Sequence, residues 1–499
     1  MTEPLPQPGP EPFVPDQHRW IALAVCCSAL FMTLLDVSVT NVALPSIARA
    51  TGAGNSGLQW IISGYTLAFG LVPVLGGRLG DDHGRRTMFQ VGVVGFVITS
   101  ALSGLAPSSA VLIGSRVLQG LSGGLINPQV SGLVQQMFRG PERGKAFGAI
   151  GTVVGLGTAL GPVVGGGLIA LGGEHLGWRL VFFVNVPIGI VVLALARRYL
   201  PDSGRHRHHR LDVGGAALLG TATFCVLFAA VQYDALHDLR LLWLVVPALV
   251  LGLLFRRRES RLTRDRLDPL VDLRLFRTPS YTAGVMLALA YFPAMAGLPL
   301  VLALYYQRGL GYTALESGLG VTAYAVGSAL SASVAGRFVT RIGRPLVVGA
   351  AAFFGLGAIA LAVVALLWSA DTSVPVALLL AGPLFTMGIG SGALITPNQT
   401  LTLMEVDPIT GSTAGGVLQT SQRIGLAIGQ AVIGAVFFAS LPTAVDALTG
   451  AARSDAFGHA VGQAVLASLG FVAVALVVGL TDLWNTRRRQ ARADQSSRR

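Results

Sequence analysis

Three ionisable side chains stand where a charge is costly to place: Asp36 in "LLDVSVTNVALP", Arg116 in "RVLQGLSGG" and Arg423 in "QTSQRIGLAIG". Each is flanked by apolar or small residues. A charge near the centre of a membrane helix costs about 2.5–3.5 kcal/mol on insertion scales, so such residues turn toward a bundle interior or a wet cavity and find partners. At a rise of about 1.5 Å per residue, Asp36 lies roughly 12 Å and Arg116 roughly 9 Å below the outer ends of their apolar segments, which is one depth. Burial favours the neutral acid and a neighbouring guanidinium favours the carboxylate; a carboxyl held between the two can take up and release a proton as its partner moves. The plain alternative is a permanent ion pair that fixes packing, a weak source of stability. Arg423 lies roughly 16 Å from the cytoplasmic end of its segment, with no membrane acid in the second half of the chain to pair with. It either attracts anionic or carbonyl groups of a ligand in a cavity or caps backbone carbonyls. Asn41 and Gln119 are further candidates for lining such a cavity.

The elements that must position these residues are membrane helices. Of the 499 residues, 52% are hydrophobic and 12% charged, about half the ~25% charge of an ordinary globular chain. Between residues 20 and 481 about fourteen stretches are long and apolar enough to span a bilayer, each of roughly 20 residues. The first is too long for a signal-peptide core and is expected to remain as a helix. Cys26, Cys27 and Cys225 fall inside these stretches as small apolar residues.

The net charge of +12 has a topological origin. With the N-terminus in the cytoplasm, roughly 29 of the 36 Lys and Arg fall on that side, a strong positive-inside bias that argues against nucleic acid as the partner. Both termini are then cytoplasmic, in a multi-pass protein of the inner, cytoplasmic membrane. The "RHRHHR" loop, with His206, His208 and His209, has no carboxylate or cysteine at ligand spacing and is expected to be a solvated loop; no metal or cofactor is expected.

Two internal echoes set the architecture. "GRLGDDHGR" from Gly77 and "GRFVTRIGR" from Gly336 share one frame, and "GGLINP" from Gly123 is matched by "GALITP" from Gly392. Both put segments 1–6 in register with segments 9–14. The expected fold is an all-α membrane protein of two six-helix bundles, residues 20–196 and 281–481, joined by an inserted helix pair over 197–280, with tails at 1–19 and 482–499. Parallel halves of this kind form transporters whose substrate site lies at their interface near the midplane.

Two glycine patterns complete the set. In "GTALGPVVGGG", Gly157, Gly161 and Gly165 form a stripe that lets another helix approach, Gly166 follows it, and Pro162 permits a bend. In the loop after segment 2, Gly77 and Gly84 allow tight turns, Asp81 can meet a helix N-terminus or an arginine, and Arg85 and Arg86 can meet acids or lipid phosphate. That loop is expected to latch the cytoplasmic side.

Together these motifs resemble the major facilitator superfamily, and within it the fourteen-helix drug:proton antiporters, over residues 20 to 480. "LDVSVTNVALP" resembles that branch's first-helix motif, "GRLGDDHGRR" the superfamily's loop motif, "RVLQGLSGG" its helix-4 motif and "GTALGPVVGG" its antiporter motif; "WRLVFFVNVPIG" also looks typical of the branch. The resemblance implies the major facilitator fold and proton-coupled export of amphipathic small molecules, such as drugs or antibiotics, by a monomer using alternating access. Asp36 and Arg116 would couple protons; Gly77, Asp81, Gly84, Arg85 and Arg86 would gate the cytoplasmic side; segment 5 would pivot and seal the halves. Three features depart from the pattern. Asp82 replaces a basic residue, Thr340 stands where Asp81 stands in the first copy, and segment 10 lacks an extra acid. The alternatives are uptake of a metabolite and a non-transporting membrane sensor or enzyme; no catalytic constellation or soluble domain supports the latter.

Overall fold

A computed structural model describes residues 16–202, 212–236, 239–265, 267–367, 375–442 and 445–497. Among the described residues every regular element is helical. The first group comprises α1 (Arg19–Thr51), α2 (Asn55–Leu71), α3 (Pro73–His83), α4 (Arg85–Leu105), α5 (Ser109–Met137), α6 (Gly140–Phe183) and α7 (Asn185–Tyr199). Two helices follow, α8 (Val213–Leu236) and α9 (Val245–Arg264). The last group comprises α10 (Pro279–Ala296), α11 (Leu298–Leu304), α12 (Ala314–Gly320), α13 (Thr322–Ile342), α14 (Arg344–Leu367), α15 (Val376–Met404), α16 (Gly411–Ser440) and α17 (Gly450–Ser497). The three histidines of "RHRHHR" and residues 1–15 of the N-terminal tail lie outside the described residues.

Local sequence explains where the chain breaks. Proline at the first position of α3 lacks the N–H a continuing helix needs, and α2 and α3 meet at a bend of 47°. Segment 2 is therefore longer and more bent than the apolar run suggested. Gly84 (φ 95°) and Gly343 (φ 68°) end α3 and α13 in the left-handed region, where a β-carbon would be strained. These two glycines occupy the same place in the two copies of the loop motif. Within α6, Gly173 leaves helical geometry at φ 62° and divides the expected segments 5 and 6.

Helix pairings repeat in order. α1 packs on α6 and α7, α2 on α5, and α4 on α5 and α7; in the last group α10 packs on α16 and α17, α13 on α15, and α14 on α15 and α17. The two groups meet along a seam where α6 touches α13 and α15, and α16 touches α3 and α5. α8 lies over the edge of that seam, with Leu227 and Ala230 buried against Leu67 of α2 and Ala427 of α16.

Among the described residues ten helices are long and apolar enough to cross a bilayer, or eleven when the bent α2–α3 pair is counted as one span. The stretches at 147–170, 239–255 and 313–336 are also largely helical but are not among these spans, so the expected fourteen is not reached by this count. Exposed apolar residues line helix faces in the expected way, as with Val94, Ile98, Leu102 and Leu105 of α4, spaced three or four apart for contact with lipid.

Beyond the apolar part of α9, Glu259 is fully buried. Its Oε2 accepts from the Val271 N–H at 3.0 Å, which holds Leu270 and Val271 against Val74 of α3. Asp212 beside it receives Arg258 Nη2 at 2.6 Å. Burial, aided by the neighbouring Asp212 and opposed by the Val271 N–H, pushes the Glu259 carboxyl from 4.5 up to about 7. Between those two values the folded protein holds a proton that the unfolded chain releases, so stability declines as pH rises through that window and is flat above it. Thermal unfolding of the detergent-purified protein from about pH 5 to about pH 8 should show this decline, and Glu259→Gln should flatten it.

Candidate functional site

Asp36 and Arg116 meet in the core of the first helical group. Arg116 Nη1 donates to Asp36 Oδ2 at 2.5 Å, and Asp36 is 0% and Arg116 1% exposed. Gln119, one helical turn beyond Arg116 on α5, donates to Asp36 Oδ1 at 3.0 Å and accepts from Arg116 Nη1 at 2.7 Å. Gln119 is thus a buried partner of the carboxyl and does not line a ligand cavity; the i, i+3 spacing that puts it beside Arg116 is the reason. Asn185, the first residue of α7, supplies a third donor through Nδ2 at 2.8 Å. The Arg116 guanidinium carbon also lies 4.2 Å from the centre of the Tyr65 ring. A buried carboxylate needs a countercharge and hydrogen bonds on both oxygens, and this one has them.

Sequence reasoning missed Asn185 and Tyr65. Asn185 left a trace: apart from Arg179 it is the one polar residue in the "WRLVFFVNVPIG" run. Tyr65 left none, since an aromatic in an apolar segment looks like core.

The loop motif forms the end of α3, Gly84 and the start of α4, and it reaches across the seam. Asp81 accepts from Ser412 N at 3.1 Å and from Thr413 N and Oγ1 at 2.8 Å each, capping the N-terminus of α16, where a negative charge is favoured. Arg85 donates to Asp81 Oδ1 at 3.1 and 2.8 Å, to Gly132 O at 2.9 Å and to Ile409 O at 3.1 Å, and also to Pro408 O. A β-carbon on Gly77 would overlap the Ser412 carbonyl. Arg86 donates to Arg197 O, a contact within the first group. Asp82 pairs with Arg78 at 3.1 Å. In the second copy, Arg344 pairs with Asp482 at 2.7 Å and donates to Ser280 O at 2.7 Å. The second copy therefore ties helices of its own group, without an acid at Thr340 to cap the opposite helix.

A further arginine joins this closure. Arg143 of "FRGPERGK", expected only to set topology, donates to Leu403 O and Met404 O at 3.3 Å each. These are among the last carbonyls of α15, where a cation is favoured.

The antiporter-motif glycines do not face the other bundle. Gly157, Gly161 and Gly165 lie against Leu34, Ser38 and Val39 of α1, the residues flanking Asp36 in sequence, while Gly166 meets open space. The side chain of Pro162 lies outside the described residues. The face of α6 that meets α13 carries Gly144, Gly148 and Gly155, with Thr152 Oγ1 3.1 Å from Ala329 O. The spacing of the stripe shows only that another helix packs closely there; the partner is set by helix order in space.

Arg423 of α16 is half-buried, with its guanidinium carbon 4.3 Å from the centre of the Phe69 ring of α2. It has no ion pair among the described residues. Asn41 is exposed on α1, outside the Asp36 cluster.

Two repeated helical groups that meet at a polar seam, with a satisfied ion pair buried in one of them, define a membrane carrier. The chain belongs to the Major Facilitator Superfamily, whose family model matches residues 26–430. It is 36% identical over 479 residues to the probable actinorhodin transporter of Streptomyces coelicolor, covering 90% of this chain and 79% of that one. It is 33% identical over 425 residues to the tetracenomycin C resistance and export protein of Streptomyces glaucescens, covering 83% and 75%. Its fold matches the crystal structure of the human organic anion transporter MFSD10 with a TM-score of 0.62 at 18% identity, over 92% of this chain and 100% of that one.

Two glycines of one motif should respond differently to a methyl group. Gly161→Ala overlaps Ser38, whose backbone is also close, and should lower stability by about 1–3 kcal/mol through overpacking. Gly166→Ala, with open space around it, should stay within about 0.5 kcal/mol of the native protein. Thermal unfolding in detergent compares the two directly.

Proposed function

We propose that this protein exports amphipathic small molecules across the cytoplasmic membrane in exchange for protons, by alternating access. The observation that carries the reading is the position of α6. One face packs on α1 around Asp36 and another packs on α13 of the other bundle, so a movement between the bundles acts on the helix that bears the buried carboxyl. The names of the antibiotic exporters and transporters to which the chain is similar support the direction of transport.

In this reading the structure is closed on the cytoplasmic side by Asp81, Arg85 and Arg143. Proton binding at Asp36 removes the negative charge that holds Arg116, loosens α1 from α5 and lets α6 shift, which releases the latch and admits the ligand. Each charge moved through 100 mV contributes about 2.3 kcal/mol before any pH gradient is added. Arg423 and Phe69, at the seam beneath α8, would contact the ligand, and Asn41 would line its outward path. The bundles are residues 20–196 and 281–481, with the inserted pair between them at 197–280. About fourteen spans result when the glycine- and arginine-containing helices are counted with the apolar ones. Both termini are cytoplasmic, as the positive-inside bias favours, and the working unit is a monomer.

Tetracenomycin C is a suitable first probe. Cells expressing the protein should accumulate less of it than control cells; greater accumulation would favour uptake instead. In inside-out vesicles with an acid interior, adding the compound should release protons, and Asp36→Asn should abolish that release. Equal release from both proteins would remove Asp36 from the mechanism.

A further inference from the structure

The run "WRLVFFVNVPIG" wraps the Asp36 site. Trp178 and Phe182 are buried, the Phe182 ring centre lies 5.7 Å from the Arg116 guanidinium carbon, and Asn185 places its amide on the carboxyl. Asn185 Nδ2 donates to Asp36 Oδ1 at 2.8 Å and to Ser100 Oγ at 3.0 Å. Its other end, Oδ1, is buried and accepts nothing from the described residues. Gln119 differs, because both of its ends are engaged, the nitrogen by Asp36 and the oxygen by Arg116. One of the two amides on the carboxyl is clamped and the other is held at one end.

A buried acceptor without a donor is uncommon in native proteins and calls for an explanation. The charge state of Asp36 supplies one. A carboxylate only accepts, so it requires the Asn185 nitrogen to face it. A protonated carboxyl must donate its O–H, and of the three groups touching Asp36, Arg116 has only donors and Gln119 presents its nitrogen, because its oxygen faces Arg116 in a charge-assisted bond that turning the amide would break. The remaining acceptor is Asn185 Oδ1, half a turn about the Cβ–Cγ bond away.

We infer that Asn185 is the positioning residue that follows the protonation of Asp36, donating through Nδ2 to the carboxylate and turning to accept through Oδ1 from the protonated acid. The inference rests on the reading of Asp36 as the proton carrier. The proton comes from water and becomes the carboxyl O–H; no covalent bond of Asn185 is made or broken. Ser100 now accepts from Asn185 and donates to Phe182 O at 2.9 Å, and its hydroxyl can rotate to donate to the turned Oδ1. With this exchange the amide has a bond to offer both states of the carboxyl.

The test is a pH titration of the full-length protein by infrared difference spectroscopy. The protonated-carboxyl band lost in Asp36→Asn belongs to Asp36. Asn185→Ala removes a charge-assisted bond from the carboxylate but only a weaker neutral bond from the protonated acid, so it should move the midpoint of that band upward by about one pH unit, a tenfold gain in proton affinity. In native protein carrying isotopically labelled asparagine, the side-chain component absent from Asn185→Ser should shift with the same midpoint. If Asp36→Asn loses no band, the proton-carrier reading fails and this inference with it. If the Asp36 band is present but Asn185→Ala leaves its midpoint in place, or the Asn185 component ignores the titration, the role of Asn185 is overturned and that of Asp36 stands. Should Asn185→Ala not fold, the labelled native protein decides alone.

Discussion

A carboxylate without solvent contact is tolerable only if every part of its lost hydration is replaced, and the surroundings of Asp36 follow from that requirement. Arg116 supplies the countercharge, Gln119 and Asn185 the remaining donors. These come from α5 and α7, so the single acid on α1 obliges three helices of one bundle to meet at one depth. The same requirement makes the site responsive. Once the negative charge is gone, Arg116 is left as a buried cation facing a neutral group, and the arrangement that was satisfied becomes one with an unpaired charge.

Small residues line both long contacts of α6. α6 has no bulky side chain on its contact with Leu34, Ser38 and Val39, nor on its contact with α13 at Gly144 and Gly148. Backbones that approach this closely transmit displacement with little slack, since packed interiors are dense and not freely compressible. The contact that the loop motif and Arg143 make with the second helical group is of a different kind. Asp81 caps the start of α16 and Arg143 the end of α15, so it is made largely of charges against helix termini, contacts that can be broken and remade without repacking a core. The first kind of contact is steric and the second electrostatic. The second is also one-sided, because Arg344 of the second copy is engaged with Asp482 inside its own helical group.

The inserted pair is tied into both bundles. α8 closes the edge of the seam through Leu227 and Ala230. The linker after α9 is held by Glu259, which fastens Val271 beside α3. A proton on this carboxyl bears on docking of the linker and is separate from the Asp36 cluster.

Much of this was legible in one dimension. Hydropathy gave the helices because each must be apolar over a bilayer's thickness, and the repeated loop frame marked equivalent turns because Gly84 and Gly343 both need the left-handed region. Equal depth along the membrane normal suggested Asp36 and Arg116 as partners, since rise per residue can be counted from sequence. What sequence could not supply was azimuth. Which face of a helix meets which neighbour depends on bundle order and on side chains from distant segments, and only the tertiary structure decided it: Gln119 turned to the carboxyl, the glycines 157, 161 and 165 turned to α1, Arg143 reached α15, and Asn185 came in from a helix almost 150 positions away. Spacing along a chain encodes depth and period, whereas contact requires direction, and direction is a property of the packed bundle.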